Sequence, residues 1–175
     1  MKFVAGFITA ILILVGGGAA LIYGGAYNVA ASEDDTAFET WILRATMTNS
    51  VKAHAGATAP PQGFDAEDHV HAGFHLFDEM CVQCHGAPGK ERGEVGLGLR
   101  PEPPALSEVA RRWNTAQLFW IVKHGVKATG MPAFGKTHTE TQLWNLVAFV
   151  QKLPDLNPEQ YSGLGAGAHG HEHTH

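Results

Sequence analysis

The sequence predicts an all-α protein in which one membrane-spanning helix precedes a small helical domain. Three observations support this fold class. Residues 3–27 carry no charge, several later segments have apolar residues at helical spacing between capping signals, and no segment of useful length alternates apolar and polar residues as a half-buried strand does. With 175 residues, the chain has room for one modest domain and appendages, and it is too short for a large multidomain enzyme.

The uncharged run is long enough to cross a bilayer as a helix, which takes roughly 20 apolar residues. Lys2 precedes the run and the acidic residues 33–35 follow it, so the positive-inside bias places the N-terminus in the cytoplasm. We therefore expect residues 1–30 to be a single-pass anchor in the inner (cytoplasmic) membrane, with the rest of the chain in the periplasm or outside. A cleavable signal sequence is the alternative, but the run exceeds the apolar stretch of about 7–15 residues that signal peptides use.

The segment after the anchor, residues 31–64, predicts an amphipathic helix and a linker. Ser32 with an acid three residues later has the form of a helix start. The helix then runs to about Ala53, and its apolar stripe either lies in the lipid headgroup layer or packs on the following domain or another subunit. Residues 54–64, rich in Ala, Gly and Pro, are typical of a linker. The stripe consists of Phe38, Trp41, Ile42 and Ala45.

A helical domain is expected over residues 65–160. Asp65 is expected to cap a helix that runs to about Cys81, and residues 86–106, with five glycines and four prolines, should be mostly loop. Residues 161–175 should form a disordered tail rich in histidine.

Two further helices are expected in the second half of this domain. A short helix should open at Asn114 or Thr115 and be closed by Gly125. The last helix should begin at the capping box of Thr139 and end after Leu153, because a proline follows.

Cys81, Cys84 and His85 form a C-x-x-C-H motif, the attachment signature of c-type haem. Two thiols one helical turn apart can each form a thioether with a haem vinyl group, while the imidazole that follows reaches the iron. A thioredoxin-like redox pair is disfavoured because no βαβ pattern surrounds the motif, and a zinc site because no further cysteine or well-spaced histidine set occurs. The sequence thus predicts one covalently attached haem c.

The sixth ligand of the haem iron is predicted to be Met131, in the segment G-M-P-A-F-G of residues 130–135. A thioether opposite an imidazole raises the reduction potential and keeps the iron low-spin. The proline and glycines of this segment can fix a loop that holds the sulfur toward the iron. Met1 and Met47 lie outside the domain and Met80 is tethered on the attachment helix, so elimination favours Met131.

With these residues the chain resembles the class I cytochrome c family, specifically its small bacterial monohaem domains carried on an N-terminal membrane anchor. The resemblance covers roughly residues 66–156. It includes Gly73 and Phe77 before the haem motif, and Leu146 and Phe149 on the last helix, where the family places the residues that cross the Gly/Phe pair. It implies a domain of three to five helices around one haem.

The resemblance also implies groups that surround the haem. In the family, a proline carbonyl in the loop after the motif accepts a hydrogen bond from the proximal histidine and fixes its tautomer. The eligible residues here are Pro101, Pro103 and Pro104. The partners of the haem propionates are equally open, and the candidate donors are Arg111, Arg112 and Trp113.

The sequence predicts an electron carrier of a respiratory chain rather than an enzyme. The domain shows no nucleophile with a base, no paired carboxylates and no phosphate-binding glycine loop, and a methionine ligand would close the iron to substrates. Two alternatives stay open. In the first alternative, the chain is the cytochrome subunit of a larger membrane oxidase or dehydrogenase complex. In the second, the haem iron is open on one side and the protein is a haem sensor or reductase.

Charge is distributed unevenly along the domain. Residues 111–139 hold five basic residues and no acid, whereas residues 65–79 hold five acids and no Lys or Arg. Because the basic stretch includes the Met131 loop, we expect it to face a redox partner with an acidic docking surface. The net charge of −5, from 12 basic and 17 acidic residues, argues against nucleic-acid binding. The basic residues are Arg111, Arg112, Lys123, Lys127 and Lys136.

Histidine and cysteine usage gives two further indications. The chain has 11 histidines, and the alternating tract at residues 169–175 either chelates copper, nickel or zinc weakly or is an ordinary solvated tail. The chain has only two cysteines, which excludes a disulfide framework.

Overall fold

The computed structural model describes residues 2–56 and 58–166, and within them the protein is helical without a β-strand. The all-α prediction is therefore confirmed. The chain divides into two units, residues 1–34 and residues 35–175. The helices are α1 (Lys2–Tyr23), α2 (Ala37–His54), α3 (Glu67–Met80), α4 (Val82–His85), α5 (Glu94–Leu97), α6 (Leu106–Val109), α7 (Thr115–His124), α8 (Glu140–Lys152) and α9 (Pro158–Ala166).

The first unit consists of α1 and the segment that follows it. The helix has 22 residues and a mean hydropathy of 2.3 over its most apolar window, so its length and composition suit a membrane span. A signal sequence would have the same properties. The helix is consistent with the predicted single-pass anchor.

The amphipathic helix α2 begins later than the capping pattern at Ser32 predicts. Thr36 is the N-cap, because its hydroxyl accepts from the backbone N–H of Glu39 while the Glu39 carboxylate accepts from the backbone N–H of Thr36 at 2.7 Å. The C-terminal end of α2 packs on the domain, where Val51 is 1% exposed. Trp41, in the N-terminal half, remains 64% exposed.

The helices α3 and α8 cross at the centre of the core, as the family resemblance implies. A Cβ at Gly73 would lie 2.0 Å from the carbonyl oxygen of Asn145, so only glycine lets the helix axes approach this closely. Phe77 and Phe149 are fully buried beside the crossing, with ring centroids 5.2 Å apart. The predicted Gly/Phe crossing is confirmed. The predicted cap at Asp65 is wrong, because Ala66 is the N-cap of α3 and makes no side-chain capping bond.

The capping signals of α7 and α8 are both used. Asn114 and Thr139 each accept from the backbone N–H three residues later, in complete capping boxes. Gly125, with φ of 64°, ends α7 as predicted. The two helices pack through the stacked rings of Phe119 and Trp144, whose centroids are 3.9 Å apart.

The domain extends beyond the predicted boundary at residue 160. Helix α9 continues to Ala166, and Tyr161, placed by the sequence-based boundary in a disordered tail, is 1% exposed. Its hydroxyl donates to Asp78 of α3 at 2.8 Å, and Lys90 donates to the same carboxylate at 2.6 Å. The buried Tyr161 side chain therefore anchors α9 to the domain. The rest of the predicted tail, residues 167–175, lies outside the described residues.

Candidate haem site

The C-x-x-C-H motif forms one tight helical turn immediately after α3. The backbone N–H groups of Cys84 and His85 both donate to the carbonyl of Cys81, at 3.1 and 2.8 Å. Gly86, with φ of 66°, ends the turn. The structure thus brings both thiols and the imidazole together over a single turn, which is the placement that attachment to one haem requires.

Both thiols of the motif are free, without a disulfide between them. Burial, and secondarily the neighbouring Cys84, raises the pKa of Cys81 to about 12, so this thiol is protonated at neutral pH. Redox-active and zinc-binding cysteines need the thiolate, which a buried apolar setting disfavours. No group of three or more His, Cys, Asp or Glu in the described part of the chain could hold a metal ion. A neutral thioether to haem suits this environment better than either alternative.

His85 is held in one tautomer by the loop that follows the motif. Its Nδ1 lies 2.8 Å from the carbonyl oxygen of Pro104. Because a carbonyl can only accept, Nδ1 carries the proton and Nε2 keeps its lone pair for an iron ion. Burial lowers the pKa of His85, and nearby Arg92 lowers it further, while the bond to Pro104 opposes the change. Of the three prolines that the sequence left open, Pro104 is the acceptor.

Arg92 holds the residue before Pro104, a contact that the sequence did not indicate. Its Nη1 donates to the carbonyl oxygen of Pro103 at 2.9 Å, and its Nη2 forms an ion pair with Glu102. The guanidinium therefore holds the loop segment that presents Pro104 to His85. No local pattern marks Arg92, because its partners lie 10 and 11 residues away.

The loop after the motif folds back onto the motif itself. The backbone N–H of Gly93 donates to the carbonyl of Gln83 at 3.0 Å. A Cβ at Gly96 would lie 2.8 Å from Cα of Cys84, so α5 sits directly on the attachment turn. This contact explains why the segment contains glycines that a solvated loop would not need.

Met131 lies in a short loop that packs on the loop after the motif. The backbone N–H of Met131 donates to Thr129 Oγ1 at 3.1 Å, and Thr129 Oγ1 donates to the carbonyl of Val126 at 2.7 Å. A Cβ at Gly130 would lie 2.5 Å from a methyl carbon of Leu99, so the two loops are in close contact. The Met131 side chain is half-buried against the core.

The basic surface predicted around the Met131 loop is smaller than the sequence suggested. Arg111 forms an ion pair with Asp155, and Lys123 forms one with Glu140. Because both charges are paired, these two side chains contribute less to a positive field. For the same reason, Arg111 is a weaker candidate for a hydrogen-bond donor to a haem propionate. The other three basic side chains of the stretch are exposed and make no ion pair with another described residue, namely Arg112, Lys127 and Lys136.

A protein-family model described as cytochrome C oxidase, cbb3-type, subunit III matches residues 68–150. The chain carries a class I c-type cytochrome domain. The matched range contains the attachment turn, Pro104 and Met131. Comparisons with curated proteins and with solved structures gave no match. Members of this family bind haem c covalently and use it for electron transfer, and the free thiols and fixed histidine tautomer of this domain fit that cofactor.

Proposed function

We propose that this cytochrome is an electron carrier with a single haem c, attached through Cys81 and Cys84 and ligated axially by His85 and Met131. The observation that carries the proposal is the hydrogen bond from His85 Nδ1, in the attachment turn, to the carbonyl of Pro104 in the loop that follows. Histidines that bind a metal through one ring nitrogen almost always donate the other N–H to a carbonyl, a carboxylate or a water, and this bond leaves Nε2 free for iron.

The chemistry of electron transfer comes from the haem, which supplies a one-electron couple of its iron when bound. The protein sets the potential and holds the ligands. Pro104 keeps the His85 imidazole in the tautomer that can bind iron, and Arg92 keeps Pro104 in place. As an iron ligand, the thioether of Met131 would favour the ferrous state and would leave no iron position for a substrate.

The haem domain works on the extracytoplasmic side of the membrane, in the periplasm or outside. The support is the apolar helix α1, with Lys2 at its start and the acidic residues 33–35 after it. In this arrangement α1 is an uncleaved single-pass anchor with a cytoplasmic N-terminus. The cytochrome then exchanges electrons with proteins of a respiratory chain at the membrane surface.

The attachment is tested by changing Cys84 to Ala in a host that matures c-type cytochromes. The denatured wild-type polypeptide should keep haem peroxidase activity on a gel, because thioether bonds survive unfolding. Cys84→Ala should weaken or abolish that signal, since one thioether is lost. Gln83→Ala, at a position of the same turn that supplies neither a thiol nor the imidazole, is the matched control and should stain like wild type. Equal staining of Cys84→Ala and wild type would contradict covalent attachment at this turn.

A second candidate function is that of the cytochrome subunit in a larger membrane oxidase or dehydrogenase complex. Two observations favour it. The matching family model is described as a subunit of an oxidase, and the N-terminal half of α2 leaves Phe38, Trp41 and Ile42 exposed. Purification of the full chain in mild detergent discriminates the two. Stoichiometric co-purification of a membrane oxidase or dehydrogenase supports the subunit, and a haem protein that runs alone supports the free carrier.

A further inference from the structure

Helix α3 carries a histidine pair that the haem proposal does not use. His71 and His75 are both exposed, and their ring centroids lie 4.7 Å apart with the rings nearly perpendicular. The third histidine of the helix, His69, is occupied differently, because its Nδ1 is hydrogen-bonded to Asn145 Oδ1 of α8 at 2.8 Å. His71 and His75 therefore stand apart as two accessible imidazoles on one surface.

The spacing of the pair is the one that allows two imidazoles to bind one ion. Residues four apart lie on the same face of a helix, one turn above each other. Zinc proteases use this same spacing when two histidines of one helix bind a single Zn²⁺ ion. Imidazole nitrogen is a ligand suited to zinc, nickel and copper ions.

A buried aromatic ring lies beside both side chains. Phe74, which is 3% exposed, lies between them in sequence and has its ring centroid 5.3 Å from that of His75 and 6.5 Å from that of His71. Both imidazoles are exposed to solvent on one side and have this ring as a neighbour on the other. A neighbouring ring restricts the rotamers of each side chain and so reduces the entropy that binding an ion would cost.

The charges around the pair favour a cation. Glu67 and Asp68, in the first turn of α3, line the same shallow surface groove as His71 and His75. No Lys or Arg occurs anywhere between residues 53 and 89. Negative charge without an adjacent basic side chain from this segment raises the local concentration of cations.

We propose that His71 and His75 form a two-histidine chelating site for a divalent transition-metal ion, with Cu²⁺ bound more tightly than Ni²⁺ or Zn²⁺. The order of affinity follows the general series for nitrogen ligands. No third His, Cys, Asp or Glu within the described residues is placed to complete a three-ligand cluster. Water therefore fills the remaining coordination positions, and the bound ion stays accessible from solvent.

The experiment is a calorimetric titration of the oxidised, haem-loaded full chain in detergent with a copper(II) salt. The C-terminal tract must be silenced first, because it is rich in histidine, so the parent protein carries Ala at positions 169, 171, 173 and 175. In this parent background, His71→Ala and His75→Ala are compared with His124→Ala. His124 is an exposed histidine of α7 with no histidine one turn away.

The parent should bind one Cu²⁺ ion per chain and show a higher melting temperature when copper is present. His71→Ala and His75→Ala should each weaken binding at least about tenfold, since even changes outside the ligand shell cost that much in metal sites. Both positions are exposed on a helix that Ala favours, so the variants should fold. His124→Ala should bind as the parent does.

Two results would overturn the proposal. A parent that binds no Cu²⁺ would show that the pair does not chelate. Affinities of His71→Ala and His75→Ala equal to that of His124→Ala would place any bound ion elsewhere on the domain.

Discussion

Replacing Gly73 by Ala tests the helix crossing that organises the whole domain. A Cβ at this position would lie 2.0 Å from the carbonyl oxygen of Asn145 and 2.9 Å from Cβ of Phe149. Neither atom can rotate away, because one belongs to the backbone of α8 and the other is fixed to it. Relief requires α3 and α8 to separate by more than about 1 Å, which disturbs a close-packed core.

The effect of Gly73→Ala on the free energy of unfolding is the difference between one stabilising contribution and two destabilising ones. Alanine in a helix is favoured over glycine by about 1 kcal/mol. Overpacking against backbone stands at the upper end of its usual range, about 3 kcal/mol, and loosening the contact between the Phe77 and Phe149 rings costs about 1 kcal/mol more. We therefore expect Gly73→Ala to reduce the free energy of unfolding by about 3 kcal/mol.

The assay is guanidinium and thermal unfolding of the haem-loaded protein, followed by far-ultraviolet circular dichroism. A loss of about 3 kcal/mol corresponds to at least about 12 °C in melting temperature for a domain of this size. Gly163→Ala is the matched control, since a Cβ added at Gly163 of α9 would meet no atom within 4 Å beyond the backbone of its own helix and its chain neighbours. The control should be neutral or stabilised by up to about 1 kcal/mol. A Gly73→Ala protein as stable as wild type would refute the close crossing.

Two further predictions concern the charged residues. Burial alone would raise the pKa of Asp78, but hydrogen bonds from Lys90 and Tyr161 outweigh it and hold that pKa below its ordinary value. The ionised carboxylate therefore stabilises the folded protein above about pH 4, and this stabilisation is lost as the pH falls through the folded-state pKa. The free energy of unfolding of wild type and Asp78→Asn should be measured from pH 7 to pH 3. The difference between the two proteins should be largest at pH 7 and should shrink as the pH falls. A difference that does not change with pH would contradict this prediction. Reversal of Lys127 and Lys136 to Glu should slow electron transfer to an acidic acceptor at low salt and matter less at physiological salt, where charges are screened beyond about 8 Å. A salt-independent rate would indicate another docking surface.

The sequence predicted those features that depend on neighbouring residues. Each of these features depends on residues within four positions of each other, namely the capping boxes at Asn114 and Thr139, the end of α7 at Gly125 and the single turn of the C-x-x-C-H motif. Two overlapping signals misled the prediction for α2. Thr36 with Glu39 offers two reciprocal bonds and displaces the start predicted at Ser32.

The features that the sequence did not predict depend on distant partners. Pro104 differs from its neighbours because the folded loop, in which Arg92 bonds the carbonyl of Pro103, places the carbonyl of Pro104 opposite His85. Tyr161 belongs to the domain through a hydrogen bond to Asp78, 83 positions earlier in the chain. Pairing of this kind between residues far apart in sequence leaves no local pattern from which it could be inferred.

The central claim is that His85 and Met131 are the axial ligands of the haem iron, and the ferric spectrum of the full chain tests it most directly. Wild type should show low-spin iron with the weak far-red band of a sulfur ligand, and should bind neither carbon monoxide when reduced nor cyanide readily when oxidised. Met131→Ala should lose that band, admit both ligands and have a lower reduction potential, whereas Met80→Ala should behave as wild type. High-spin iron in wild type, or equal ligand access in wild type and Met131→Ala, would contradict the account.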